Sequence, residues 1–129
     1  MENQSFDKWL AGLDLSFWGT GQHKVTPAQF FERQQSEGAI LLDLRSPEEV
    51  GQLALPFALD IPINELPARW QEVPNDRLVA TFCSSVTRAV VAWVYLQMRG
   101  LEKVRILDAR YNDLTDELLP GKVYKRIHK

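Results

Sequence analysis

The sequence predicts an α/β protein: a parallel central sheet with helices on both faces. Three observations carry this. Largely apolar runs at 39–44, 77–82 and 104–107 read as strands, the first of them continuous as in a buried parallel strand. Helical patterns at 27–38 and 85–99 separate them. Strands alternating with helices require parallel crossover connections. With 129 residues, 45% of them hydrophobic and 25% charged, the chain suits one domain with a real core.

The elements follow in order. Phe6, Trp9, Leu10 and Leu13 share one face of a short helix, and Leu15, Phe17 and Trp18 extend the apolar arm. Residues 1–22 are expected to form this N-terminal arm and 23–129 the main domain. The arm is expected to pack on the domain, with a dimer or partner contact as the alternative use of its apolar face. Gly19, Thr20 and Gly21 read as a flexible joint. Thr26, Pro27 and Gln29 form a helix start with a capping box, and Gly38 ends that helix. The run 39–44 ends in charge at Asp43 and Arg45. Ser46 with Glu49 repeats the capping box and opens a short helix. The Pro-interrupted stretch 51–62 reads as loop with a short strand near 58–61.

Asn64 is expected to cap a helix through about Trp70, and Pro74, Asn75 and Asp76 to form a turn. The strand 77–82 leads into the helix 85–99, which Gly100 terminates. After the strand 104–107 a helix is expected over 111–119, stopped by Pro120 and Gly121. Trp93, Tyr95 and Met98 read as core or partly covered positions, and His23 and His128 as solvated residues in terminal segments.

Composition excludes several functions. A net charge of -2 offers no general attraction to nucleic acid or an anionic membrane. No apolar run approaches the roughly 20 residues of a membrane span. The N-terminus lacks the pattern of a secretory signal. One cysteine forms no internal disulfide, and two histidines without zinc-ligand spacing leave no metal site. No cofactor is expected. A free thiol suits a reducing compartment, so the expected location is cytoplasmic.

The reactive feature is the segment Cys83, Ser84, Ser85, Val86, Thr87, Arg88. It holds the lone thiol at the end of a strand and the start of a helix. Backbone N–H groups converge there and the helix dipole favours negative charge, the setting of a nucleophilic thiolate. Arg88 adds a fixed positive charge and is the expected anion contact. The hydroxyls of Ser84, Ser85 and Thr87 read first as helix caps. Asp43 and Arg45 fall at the same carboxyl edge of the sheet, where α/β proteins bind ligands. They read as a structural ion pair first and as a site rim second.

These residues resemble a known family. The order Asp43, Arg45, Glu49, then Asp60 to Leu66, then Val79 to Cys83, Arg88 and Gly100 is similar to a single-domain rhodanese, over about residues 25–119. The resemblance implies the rhodanese-like fold and a sulfurtransferase. Cys83 would take a sulfane sulfur from a small sulfur-containing anion such as thiosulfate, or from a persulfide. It would pass that sulfur to a small thiol or a protein cysteine. The amides of Ser84, Ser85, Val86, Thr87 and Arg88 would cradle the persulfide.

The sequence departs from the family pattern in three places. Val86 stands where many members carry Gly, so a loop with positive φ there would be strained. The segment 51–58 replaces the usual Gly-His-Ile-Pro-Gly-Ala, and Ala109 with Arg110 replaces a common Gly-Gly pair. Two alternatives remain: a non-catalytic rhodanese-like interaction module, and a cysteine phosphatase or arsenate reductase. The latter resemble this loop but hold one more residue between Cys and Arg.

Overall fold

The structure, a computed structural model, describes residues 5–128. Its centre is a sheet of five parallel strands: β1 (Lys24–Val25), β2 (Ile40–Asp43), β3 (Ala58–Asp60), β4 (Val79–Phe82) and β5 (Val104–Leu107), in the order β1-β5-β4-β2-β3. This is the expected mixed fold. β4 is central and buried along its whole length. Its side chains alternate between two apolar clusters, as the pleat dictates. Val79 and Cys83 enter one with Ala89, Trp93 and Leu96; Ala80 and Phe82 enter the other with Phe30, Phe31 and Leu114.

The register of β2 on β4 pairs Asp43 with Phe82, so the carboxyl ends of the two strands finish side by side. Asp43, Arg45 and Cys83 therefore lie at one edge of the sheet.

Helices cover both faces. α3 (Pro27–Glu37) starts on the Thr26–Gln29 capping box and ends at Gly38, whose φ of 74° a side chain would strain. α4 (Pro47–Gln52) starts on the Ser46–Glu49 box. α6 (Thr87–Met98) buries Ala89, Ala92, Trp93 and Leu96, and Gly100 turns the chain away at φ 91°. The hydroxyl of Thr81 on β4 donates to the carbonyl of Ala89 at 2.9 Å, locking the first turn of α6 to the central strand.

The arm forms α1 (Phe6–Ala11) and α2 (Leu15–Gly19), capped by Ser5 and Asp14. Trp9, Leu13 and Phe17 pack on the α6 side, with Trp9 5.4 Å from Trp93 between ring centroids. Phe6, Leu10, Leu15 and Trp18 face solvent in large part. Among the described residues no helix is long and apolar enough to cross a membrane.

Four local expectations need correction. The joint at Gly19, Thr20 and Gly21 is a hydrogen-bonded turn, with the Thr20 hydroxyl on Ser16 O at 2.6 Å and Gln22 N–H on Phe17 O at 3.3 Å. His23 is partly buried: its ring lies 4.8 Å from Trp18 and 5.8 Å from Phe17, and burial pushes its pKa below the usual value. Asn64 caps nothing; a 3-10 turn at Ile63–Glu65 leads directly into α5 (Leu66–Arg69). The helix α7 (Tyr111–Asp116) ends early. Pro120 then opens another helix, α8 (Pro120–Ile127), because proline fits a first helical turn as readily as it stops a helix. β1, only two residues long, left no periodicity to read.

Candidate active site

Cys83 follows the last residue of β4 and is completely buried. Its Sγ accepts a hydrogen bond from the N–H of Ala89, at 3.3 Å. The loop then exposes Ser84 and Ser85 and half-buries Val86, whose side chain packs on the cluster that contains Cys83. Among the described residues the amides of Ser84, Ser85, Val86, Thr87 and Arg88 donate to no protein acceptor. Five free N–H groups at the start of a twelve-residue helix form an environment suited to negative charge.

Val86 takes the strained branch of the sequence expectation. Its φ is 76° and its ψ is -29°, and among the described residues no other non-glycine has positive φ. For a β-branched residue this costs on the order of 1–3 kcal/mol. The loop keeps the glycine-like conformation even though the side chain opposes it. The hydroxyl caps expected of the loop are absent, since α6 has no side-chain cap. Among the described residues only the Ser84 hydroxyl of the loop finds a partner, accepting from Arg88 Nη2 at 3.1 Å.

Arg88 projects from the first turn of α6 to α4. Its Nη1 and Nη2 donate to the two oxygens of Glu49 at 2.7 and 2.9 Å, a fork-to-fork pair. Glu49 also accepts from the N–H and hydroxyl of Ser46, both at 3.0 Å. These bonds, Arg88 first, lower the Glu49 pKa to about 2. The Arg88 pKa is raised, chiefly by Glu49, with Cys83 a smaller contributor that places the thiol within electrostatic reach.

The family model for the rhodanese-like domain matches residues 26–117. The chain belongs to that family. A sulfurtransferase of Allochromatium vinosum is 38% identical over 69 residues, 54% of this chain and 64% of the relative. An HTH-type transcriptional regulator of Mycobacterium tuberculosis is 32% identical over 65 residues, 50% of this chain. The rhodanese-like chain thus spans less than two thirds of the first relative and 29% of the second. A rhodanese-related protein of Thermoplasma volcanium shares the fold, with a TM-score of 0.66 at 23% identity over 76% of this chain and 95% of that one.

Within this rhodanese-like domain, Asp43 and Arg45 form a buried pair beneath the site. Arg45 Nε and Nη2 donate to Asp43 at 3.0 and 2.8 Å, and Nη2 also donates to Leu53 O at 3.0 Å. The guanidinium stacks between the rings of Phe82 and Tyr111, 5.5 and 5.3 Å from their centroids. Both residues are under 5% exposed, so they brace the carboxyl edge and present no free charge at its rim.

Two contributors escaped the sequence reading. The sequence marks Glu49 as a helix cap and as part of the Asp43, Arg45, Glu49 spacing, and neither points to Arg88 as its partner. Ala89 acts only through its amide and carried no signal. A cleft of about 580 Å³ between α3 and α8 is lined by none of the Cys83 loop residues.

Proposed function

We propose that this rhodanese-like domain is a sulfurtransferase that carries sulfane sulfur on Cys83. The observation behind the reading is the loop: a thiol at the end of the central strand, followed by five amides with no protein acceptor. Four residues separate Cys83 from Arg88, a compact ring that suits sulfur better than a tetrahedral oxyanion.

The steps balance without a cofactor. The Cys83 thiolate attacks the outer sulfur of thiosulfate; a new S–S bond forms at Cys83 and the donor's S–S bond breaks. The electron pair leaves with sulfite. With a persulfide donor the same attack releases a thiolate. The amides of residues 84–88 and of Ala89 stabilise the negative terminal sulfur. An acceptor thiolate then attacks that sulfur and Cys83 departs as thiolate. Cys83 is fully buried, so transfer on this reading requires residues 84–86 to open for donor and acceptor. The oxyanion contact expected of Arg88 competes with Glu49 for the same guanidinium.

Intact mass spectrometry tests this. Thiosulfate or a low-molecular-weight persulfide is expected to add one sulfur atom to the wild type and none to Cys83→Ser. A wild type unmodified by both donors sinks the reading. The complete burial of Cys83 favours a second one, a non-catalytic interaction module, and that outcome supports it. Aryl phosphate hydrolysis dependent on Cys83 supports a phosphatase instead.

A further inference from the structure

We propose that Glu49 sets the donor class of this site: by holding Arg88 it makes Cys83 select uncharged persulfides over dianionic thiosulfate. The inference rests on the sulfurtransferase reading and deepens it.

Arg88 is the only ionisable side chain among residues 84–88. Its two terminal nitrogens are committed to Glu49 at 2.7 and 2.9 Å, and Nη2 also serves Ser84 at 3.1 Å. The guanidinium therefore reaches the loop with its charge balanced by a carboxylate and both terminal nitrogens engaged. Glu48 adds a second, exposed carboxylate next to Glu49. The neighbouring Asp43–Arg45 pair is buried and neutral as a unit. An incoming dianion meets amide dipoles here, and no net cation from β2, β4 or their loops. The neutral form of a persulfide needs only those dipoles. Charge of either sign this close to a reacting sulfur changes encounter and transition-state energy for ionic reagents, and leaves neutral ones little affected.

Glu49 is thus a positioning residue that acts through Arg88. The steps are those given above. With a neutral persulfide R–S–SH, Cys83 takes the outer sulfur and R–S⁻ departs; with thiosulfate, sulfite departs carrying two charges. Freeing Arg88 helps the second donor selectively.

Alkylation of Cys83 reads the local charge without any sulfur transfer. The rate ratio of anionic iodoacetate to neutral iodoacetamide is measured on the wild type, on Glu49→Gln and on Arg88→Gln. Glu49→Gln is expected to raise the ratio on the order of tenfold, and Arg88→Gln to lower it several-fold. Adding Arg88→Gln to Glu49→Gln removes the rise. Because each value is a ratio, a general loosening of the loop cancels. In parallel, mass spectrometry follows loading of Cys83 by thiosulfate and by the persulfide of N-acetylcysteine methyl ester. The thiosulfate-to-persulfide rate ratio is expected to rise with Glu49→Gln by a similar factor.

An alkylation ratio indifferent to both variants overturns the proposal. So does a ratio governed by Arg110→Gln, since that exposed residue follows β5 on the same edge. Failure of every donor to load Cys83, with the alkylation ratio still responding to Glu49, overturns the sulfurtransferase reading and leaves the charge assignment standing.

Discussion

The carboxylate of Glu49 and the guanidinium of Arg88 are joined by two hydrogen bonds although 39 residues separate them in the chain. The pair ties α4 to the Cys83 loop, and it titrates. Glu49 has its pKa lowered in the folded state to about 2 from an ordinary 4.5. A depressed carboxylate contributes stability that is present above the unfolded value and lost as pH falls through the folded one. Wild type is therefore expected to melt above Glu49→Gln by a constant margin at pH 5–7. That margin shrinks toward zero between about pH 4.5 and pH 2. Both side chains are about one-third exposed, so solvent screening holds the margin to about 1 kcal/mol or less. Thermal melts across the range check it; a margin that widens on acidification contradicts it.

The Asp43–Arg45 pair behaves differently because water does not reach it. Asp43→Ala strands the guanidinium of Arg45 between Phe82 and Tyr111 with one carbonyl acceptor left. Breaking a buried pair in this way is expected to cost about 3–5 kcal/mol. Urea unfolding of Asp43→Ala measures it, and a loss below about 1 kcal/mol would mean that solvent enters the site.

Val86 reverses the usual order of alanine and glycine. In ordinary helical backbone glycine is the less stable by about 1 kcal/mol. At a φ of 76° alanine keeps the strain and glycine relieves it. Val86→Gly is expected to be more stable than Val86→Ala by about 1 kcal/mol in urea unfolding. The opposite order would show that the loop does not hold this conformation in solution.

The arm divides into a packed and an open side. Trp9→Ala removes a partly buried ring from Trp93 and is expected to cost about 2 kcal/mol. Leu15, 84% exposed, is expected to tolerate alanine within about 0.5 kcal/mol. Paired denaturation curves test both. Equal losses would mean that the open face is covered in solution.

What was legible in the sequence is what short-range chemistry writes. Apolar runs placed β2, β4 and β5, and capping boxes placed α3 and α4, because strand burial and helix ends depend on residues a few positions apart. Cys83 stood out by being the lone thiol at a strand-to-helix junction, and Val86 as the loop's misfit. Contacts between distant segments were not legible. Glu49 satisfied its local role as a cap so fully that nothing remained to announce Arg88 as its partner. His23, near a chain end, reads as solvated in sequence, but rings from α2 and α6 close around it. Pro120 obeyed a rule that serves both the end and the beginning of a helix. The sequence by itself determined the α/β class, the order of the main elements and the reactive thiol. Tertiary structure alone decided which charges pair, and so what charge the thiol sees. The physical reason is that hydrogen-bond periodicity is set within a turn or a strand, whereas ion pairing and burial depend on which segments the sheet brings together.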